Sequence, residues 1–353
     1  DAHYAFGKFA VHPGGERDAH LKPFLDGVFR LDGPTGKTAS IMPYYTVTWG
    51  MDPGGEQVGN SYSKYIIGDL LRRQAGFEGV VCTDWGITGD PEREMDSFGS
   101  RCYGVEHLTE AERHLRILEN GVDQFGGNND IVPILEAYRL GCEKYGEDAM
   151  LARFRRSAER LLVGSFRCGL FENPYLDPET SQETVGCKAH CDAGFEAQIK
   201  SLVLVKNTGV LPIRQRKKVY IPGRTVAERR SFFRTRMPAA GFPGADRAAV
   251  EKFFDWAETP EEADFALVRI ESPLTDGGYT AEEGYIPVSL QYRPYTAATA
   301  RAESIGQGDF RETDAPNRSY RGKTCYPANE SDLDLVLDTR RAMGNKPVIV
   351  SVR

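Results

Sequence analysis

The sequence predicts an α/β protein with parallel sheets, and three observations support that prediction. Short apolar strands alternate with longer amphipathic helices, which is the pattern of parallel α/β units. The run GVVCTD (79–84) is apolar without alternation, as strands buried on both faces are. The chain has 353 residues, a length that favours two domains over one.

The first half of the chain contains the clearest alternation. SIMPYYTV (40–47) predicts a strand that leads into a loop, and SYSKYIIGDLLRRQ (61–74) places its apolar residues at helical spacing. Gly76 is a helix stop signal just before the strand at 79–84. The remaining predicted elements of this half are a helix at about 108–119, a strand at 121–125 and helices at about 131–145 and 147–163.

A loop-like segment at 169–186 separates the two halves. It holds two prolines and several polar residues, a composition typical of a linker. We therefore predict domains at 1–168 and 187–353, with 169–186 between them. The second domain is predicted to contain a helix near 192–201, the apolar run SLVLVKNTGVLPI (201–213) and strands at 218–223, 263–272 and 346–352.

Composition excludes several classes of partner. The formal net charge is -7, which argues against a nucleic-acid partner because phosphate neutralisation needs a concentrated basic surface. No apolar run approaches the roughly 20 residues that a membrane helix requires, so we predict no membrane partner.

The seven cysteines are an odd number in a long chain, so we predict that they form no disulfide framework. Cys187, His190 and Cys191 lie close together, but without further ligands we predict no metal ion and no cofactor.

Asp84 is the first candidate catalytic residue, because it comes at the end of a buried strand. Functional groups gather at the carboxyl ends of parallel strands, whereas the alternative for an aspartate here is a helix N-cap. Trp85 follows directly, and an indole beside a carboxylate suits the apolar face of a sugar ring. The alternative for Trp85 is an ordinary core aromatic. Spacing alone leaves these alternatives open.

Five motifs, in the correct order, resemble glycoside hydrolase family 3. GFEGVVCTDWG (76–86) is similar to the nucleophile segment of that family, with Thr83 where serine is more usual. The other four motifs are IMPYY (41–45), ENGVDQF (119–125), RRSAERLLVGSFRCGLFENPY (155–175) and SLVLVKNTGVLPI (201–213).

This resemblance implies an architecture and a mechanism. The chain would contain the C-terminal part of a (β/α)8-type barrel followed by an incomplete α/β sandwich domain, with the sugar held between them. Asp84 would be the nucleophile of a retaining, exo-acting β-glycosidase, most closely a β-glucosidase, and a second carboxyl would be the acid/base. The partner would be a small-molecule glycoside or oligosaccharide, contacted by Met42, Tyr45 and Trp85.

The resemblance leaves three glutamates as candidates for the acid/base. In the family this residue is commonly a glutamate in a loop with a pattern such as E-T-E-G, and the chain offers YTAEEGYIPVSL (279–290). Glu282 is the first choice, with Glu283 beside it. Glu271, at the end of the preceding predicted strand, is the third. For each of them the alternative is an exposed loop carboxylate.

Some features of the family pattern do not occur in this chain. No Lys-His pair of the kind that grips sugar hydroxyls is present, and DAHYAFGKFAVHPGG (1–15) resembles the segment downstream of that pair. Asp1 and His3 would then lie near the pocket rim. About 165 residues precede the linker, whereas a complete barrel needs about 250. We therefore expect a fragment that lacks the N-terminal half of the barrel and the C-terminal end of the protein, with the remainder of its own chain or a second copy as a partner. The sequence assigns no compartment.

Three other functions stay open at this point. One is a β-xylosidase of the same family, and another is a non-catalytic carbohydrate-binding remnant of the fold. The third is an unrelated α/β sugar- or nucleotide-binding protein, in which Asp84 would be buried and would cap a helix with no cavity beside it.

Overall fold

The computed structural model describes residues 8–12, 14–90, 101–230, 236–275, 278–280, 284–300 and 319–353. The described residues form two compact units, one up to Val185 and one from Gly186 onwards. Both units contain helices and parallel strands, so the predicted α/β class is confirmed. The assignment of the units to a barrel and a sandwich stays a prediction.

The first unit is built from short strands and longer helices. Its strands are β1 (Phe9–Ala10), β2 (Ser40–Ile41), β3 (Val47–Thr48) and β4 (Val80–Val81). Its α-helices are α1 (Arg17–Lys22), α2 (Glu110–Asn120), α3 (Val132–Tyr145), α4 (Glu147–Arg167) and α5 (Pro178–Thr184). The segments Pro23–Val28 and Lys64–Gln74 are wound as π-helices, and Asn60–Tyr62 is a 3-10 turn. Helix α5 lies inside the segment predicted as a linker.

Parallel pairing brings the strands of the first unit side by side. Strand β2 pairs with β4, with Ile41 opposite Val81, and β1 pairs with β3. An isolated parallel bridge joins Cys82 to Gln124, so the predicted strand at 121–125 pairs at one residue only. The apolar side chains beneath these strands form the core, which includes Val47, Ile67, Phe77, Val81, Ile117 and Val122.

Local sequence signals fix the position of helix α2. Thr109 accepts a hydrogen bond from the backbone N–H of Glu112, and the Glu112 carboxylate accepts one from the backbone N–H of Thr109. This reciprocal capping box satisfies two otherwise unpaired donors. The helix ends at Gly121, whose φ of 105° is a left-handed conformation that glycine adopts without strain. The chain then turns directly into the segment that carries Asp123.

Asp123 is a buried carboxylate that joins strand β4 to helix α4. Its Oδ2 accepts hydrogen bonds from the backbone N–H of Val81 at 3.1 Å and from Arg72 at 2.5 Å. Its Oδ1 accepts hydrogen bonds from Ser157 at 2.8 Å and from Arg160 at 3.1 Å. The side chain is 0% exposed, so these polar partners replace the water that burial removes.

The second unit contains a four-stranded parallel sheet. Its strands in chain order begin with β5 (Lys218–Tyr220), β6 (Arg224–Val226), β7 (Arg229–Arg230), β8 (Arg236–Met237) and β9 (Ala240–Phe242). They continue with β10 (Asp255–Trp256), β11 (Phe265–Ile270), β12 (Gly278–Thr280), β13 (Gly284–Ile286), β14 (Tyr295–Thr296), β15 (Thr324–Cys325) and β16 (Val348–Val352). The sheet has the order β10-β5-β11-β16, and all of its pairs are parallel.

The helices of the second unit are α6 (Lys188–Lys200), α7 (Arg247–Val250) and α8 (Glu330–Met343). Buried Val219, Ile221 and Phe265 lie in one apolar cluster, and Ala266 and Met343 lie in another. The apolar run after α6 behaves differently, because Leu202 is 77% exposed and Val205 is 90% exposed. No strand forms between residues 201 and 217.

Candidate active site

The candidate site lies at the carboxyl ends of adjacent parallel strands in the first unit. Met42 follows β2, and Asp84 follows β4 after two intervening residues. Gly126 follows the bridge at Gln124. Because these strands run parallel, their carboxyl ends meet at one edge, where functional groups of α/β proteins gather. The three segments therefore lie at the same edge of the sheet.

Asp84 and Trp85 are adjacent at this edge, and both are accessible to solvent. Asp84 is half-buried, and its Oδ1 accepts a hydrogen bond from the backbone N–H of Trp85 at 2.6 Å. Trp85 is 67% exposed, so it is not the core aromatic that we considered as an alternative. Among the described residues, no arginine or lysine forms an ion pair with Asp84. A carboxylate and an exposed indole therefore share one strand end.

Tyr45 contacts the backbone next to Asp84. Its side chain is buried, and its hydroxyl donates a hydrogen bond to the carbonyl oxygen of Trp85 at 2.9 Å. Burial raises the pKa of the Tyr45 hydroxyl, and the charge of Asp84 and a hydrogen bond to it raise that pKa further. Tyr45 therefore keeps its proton at neutral pH and donates a hydrogen bond to the Trp85 carbonyl beside Asp84.

Arg101 is a neighbour of this group that the sequence did not reveal. Its guanidinium lies over the Tyr45 ring, with Cζ at 5.7 Å from the ring centroid, within the range of a cation–π interaction. Arg101 is only 6% exposed, and its charge opposes the rise in the pKa of Tyr45. It belongs to no recognisable motif, so no sequence signal identified it.

The other predicted site residues divide into two groups. Met42 lies at the end of β2 with 53% of its surface exposed, on the same sheet edge as Asp84. Asp1, His3, Glu282 and Glu283 lie outside the described residues. Their predicted roles therefore stay predictions.

Glu271 lies in the second unit, directly after strand β11. Its Oε2 forms an ion pair with Arg224 at 3.2 Å, and the same guanidinium pairs with Asp332 at 2.9 Å. Glu271, Arg224 and Arg269 line a cavity of about 350 Å³. Glu271 is therefore held by an ion pair within the second unit.

The described residues offer no metal centre, since no group of three or more His, Cys, Asp or Glu side chains in them could hold an ion. Within the same ranges, no helix combines the length and the apolar composition that a membrane crossing requires.

Curated relatives show what this chain is similar to, although no family model matches it. It is 36% identical over 284 residues to a probable β-glucosidase C of Aspergillus flavus, covering 80% of this chain and 40% of that protein. It is 35% identical to β-glucosidase C of Emericella nidulans, covering 83% of this chain and 42% of that protein. A periplasmic β-glucosidase/β-xylosidase of Dickeya chrysanthemi is 33% identical, with 77% of this chain and 39% of that protein covered. The chain spans about two fifths of the length of these relatives.

Solved structures show the same fold. A β-glucosidase from Listeria innocua, crystallised with isofagomine, matches 99% of this chain and 44% of its own, with a TM-score of 0.56 and 15% identity. A β-glucosidase involved in saponin metabolism from intestinal bacteria matches 99% of this chain and 46% of its own, with a TM-score of 0.52 and 14% identity. The identity to the curated β-glucosidases extends over about four fifths of this chain. The chain is therefore similar to β-glucosidases over most of its length, and its five motifs resemble those of glycoside hydrolase family 3.

Proposed function

We propose that the chain is part of a retaining, exo-acting β-glycosidase, most closely a β-glucosidase, that acts through a covalent intermediate on Asp84. The observation that supports this most directly is the placement of Asp84 at the carboxyl end of β4, half-buried and beside an exposed indole. A nucleophile needs both access to the substrate and an ionised oxygen. In this proposal the first unit is the C-terminal part of a (β/α)8-type barrel and the second is an α/β sandwich.

The reaction would take place in two displacements. A carboxylate oxygen of Asp84 attacks the anomeric carbon, the bond to the leaving oxygen breaks, and a second carboxyl protonates that oxygen. Water then attacks the same carbon, the second carboxylate takes the proton from the water, and the bond to Asp84 breaks to restore the carboxylate. No cofactor is needed for either step.

Glu282 remains our first choice for the second carboxyl, with Glu283 as the alternative. The acid must hold its proton while the nucleophile stays ionised, so the two groups need different surroundings. Glu271 meets this requirement less well because it pairs with Arg224 at 3.2 Å.

Two residues of the first unit would contact the sugar directly, and a third, Tyr45, would contribute to the site through Asp84 and Trp85. The face of Trp85 is accessible and offers an apolar surface for the C–H groups of a pyranose ring. Met42 adds a second exposed apolar side chain at the same edge. Tyr45 would act on Asp84 and on the Trp85 carbonyl. The substrate would be the terminal residue of a small glycoside or oligosaccharide.

A β-xylosidase is the second candidate, favoured by the name of the Dickeya chrysanthemi relative, which includes both activities. A xyloside lacks the exocyclic hydroxymethyl group of a glucoside, so the two substrates test the size of the site. Hydrolysis of an aryl β-xyloside faster than the matched aryl β-glucoside would favour this candidate. The reverse ratio would favour the β-glucosidase.

The decisive experiment traps the covalent intermediate. The full-length protein that contains this chain is incubated with an activated 2-deoxy-2-fluoro-β-glucoside, and the intact mass and the peptide that carries the added sugar are determined. We expect one added sugar on the peptide that contains Asp84, and none in the Asp84→Ala variant. Labelling of another side chain would overturn the role of Asp84. The absence of labelling in the folded full-length protein would favour the non-catalytic remnant.

A further inference from the structure

We propose that the glycine pair Gly126-Gly127 sets the positions of Asp84 and Trp85, and that each glycine controls a different one of them. Both glycines would be positioning residues, since neither has a side chain that could touch a sugar. This inference rests on the proposed roles of Asp84 and Trp85. It assigns a task to the glycine-rich stretch GGNND (126–130), which lacks the spacing of a phosphate-binding loop.

Gly126 lies against the backbone that leads into Asp84. Its N–H donates a hydrogen bond to the Thr83 hydroxyl at 2.8 Å, and its carbonyl accepts one from the N–H of Gly86 at 2.9 Å. The two bonds hold the chain on both sides of Asp84. Thr83 is fully buried, so its hydroxyl has a fixed direction. The position of the Asp84 carboxylate therefore depends on where the Gly126 peptide lies.

A side chain at residue 126 would disturb this arrangement. A Cβ atom there would lie 2.4 Å from the carbonyl oxygen of Thr83 and 3.2 Å from that of Asp84. Both atoms belong to the backbone, so neither can rotate away as the end of a flexible side chain could. Relief would require one of the two segments to move, and Asp84 would move with the strand end.

Gly127 lies against the indole of Trp85. A Cβ atom at residue 127 would lie 2.4 Å from Cδ1 and 2.7 Å from Cγ of that ring. Trp85 is 67% exposed, so the ring has few other contacts to hold it. Since the φ of Gly127 is +70°, glycine also suits this backbone conformation. Contact with the Cα of Gly127, which carries no side chain, would therefore determine where the Trp85 indole lies relative to the strand end.

The loop that presents the glycines is fixed to the interior of the first unit. The amide nitrogen of Asn128 donates a hydrogen bond to the Thr88 hydroxyl at 2.9 Å. Thr88 is fully buried and lies 3.3 Å from Nε2 of His114, whose Nδ1 lies 2.8 Å from the carbonyl oxygen of Glu110. The pair is thus held by a buried polar chain that ends on helix α2, as a positioning element requires.

The two glycines should have separable effects on the reaction. A displaced Asp84 would slow formation of the covalent bond, because a misplacement of about 1 Å can cost roughly 100-fold in rate. A displaced Trp85 would instead weaken binding of the sugar and leave the reacting oxygen in place. Gly36 provides a matched control, because its φ is +64° and a Cβ there would meet nothing within 4 Å.

The first test uses inactivation by the 2-deoxy-2-fluoro-β-glucoside, which yields a binding constant and a rate constant for labelling. We expect Gly126→Ala to lower the labelling rate constant about 100-fold with little change in binding. Gly127→Ala should weaken binding about tenfold, equivalent to the loss of about 1.4 kcal/mol, with little change in the rate constant. Gly36→Ala should match the wild-type chain in both. If both alanine variants resemble Gly36→Ala, or both change the same constant, the inference is wrong.

The second test does not depend on activity. The chain has three tryptophans, so biosynthetic 5-fluorotryptophan gives a simple ¹⁹F NMR spectrum in which Trp85→Phe assigns the Trp85 signal. Gly127→Ala should shift that signal, and Gly36→Ala should leave it in place. An unshifted signal in Gly127→Ala overturns the inference even where the sugar labels Asp84. A shifted signal in a chain that takes no label supports the positioning role while the proposed function fails.

Discussion

Asp84 follows strand β4, and Asp123 lies in the neighbouring parallel segment of the first unit, yet their surroundings are opposite. Asp84 is half-buried and accepts a hydrogen bond from the Trp85 N–H. The Asp123 side chain is fully buried and has Arg72 and Arg160 within hydrogen-bonding distance. A third guanidinium, that of Arg153, lies 3.6 Å away.

The contrast shows how one residue type serves two purposes. Burial lowers the pKa of Arg72 and of Arg153, and the charge of Asp123 opposes this effect in both. The charge of Asp123 is thus compensated by the guanidinium groups around it, which suits this carboxylate to holding β4 against α4 and not to chemistry on a substrate. Asp84 lacks such compensation in the described part of the chain, which leaves its oxygens available. The predictions below test this difference, from the largest expected effect to the smallest.

Replacing Asp84 should abolish catalysis while leaving the fold intact. We expect Asp84→Ala to lower kcat for an aryl β-glucoside by about four orders of magnitude or more, as loss of a covalent nucleophile does elsewhere. The free energy of unfolding should change by less than about 0.5 kcal/mol, because a half-exposed carboxylate without an ion pair contributes little to stability. Steady-state kinetics and urea unfolding measure the two quantities.

Added azide provides the control for this variant. A small anion can occupy the space that the carboxylate leaves and attack the anomeric carbon, so azide should restore turnover in Asp84→Ala. The product would be a glycosyl azide of inverted configuration, since a single displacement replaces two. Full activity in Asp84→Ala without azide would contradict the proposal that Asp84 is the nucleophile.

Replacing Asp123 should lower stability while leaving catalysis largely intact. We expect Asp123→Asn to reduce the free energy of unfolding by about 3–5 kcal/mol, since it removes the charge that compensates buried guanidinium groups. Urea unfolding at fixed ionic strength measures the loss, and Asp84→Asn is the matched control with the same chemical change. Activity per folded molecule should remain within a few-fold of wild type. An Asp123→Asn chain as stable as wild type would show that the arginines find other acceptors.

The sequence predicted the part of this contrast that depends on local pattern. The unbroken apolar run before Asp84 predicted a buried strand, and the motif around it indicated the resemblance to a family. Helix α2 and the two long helices after it were also predicted, because helical periodicity is local. What the aspartates themselves contact was not visible. Asp123 meets Arg72 and Arg160, which are distant in sequence, and no spacing rule relates them.

Other features could not be predicted from the sequence, because they also depend on contacts between residues that are distant in the chain. Arg101 lies over Tyr45 through tertiary packing alone. The apolar run Leu202–Val205 suggests a buried segment from its composition, but these side chains are exposed. Burial depends on which surface the rest of the fold presents, and composition does not report that. The close contacts of Gly126 and Gly127 are with residues 83 to 85, which follow another strand, so no local pattern in the sequence indicates them.

The variant Tyr45→Phe tests whether the Tyr45 hydroxyl contributes to the function of Asp84. It removes the hydroxyl that donates to the Trp85 carbonyl and whose pKa the Asp84 charge raises. We expect kcat/KM to fall about 10- to 100-fold, corresponding to the 1.5–3 kcal/mol of a hydrogen bond to a charged group. Because the pKa of Tyr45 is raised above its ordinary value, the hydroxyl keeps its proton at working pH, and the basic limb of the pH profile should keep its shape in Tyr45→Phe. A change smaller than twofold would mean that Tyr45 does not act on the nucleophile.

The smallest effect concerns His114, the buried histidine beneath the glycine-rich loop. Burial lowers the pKa of His114, and the neighbouring charge of Arg113 lowers it further, against an opposing hydrogen bond to the Glu110 carbonyl. The folded chain therefore resists a proton that the unfolded chain accepts below about pH 6.5. The free energy of unfolding that His114 contributes in this way is complete above that pH and falls as the pH drops, by at most about 1.4 kcal/mol per pH unit.

Urea unfolding at pH 7.5 and 5.5 should show a smaller decrease in the free energy of unfolding in His114→Gln than in wild type. The comparison between the two chains removes the contribution of every other group that both share, including the carboxylates. An equal drop in both would mean that His114 takes up its proton as readily in the folded chain, and the buried polar chain from Asn128 to helix α2 would then tolerate a charge.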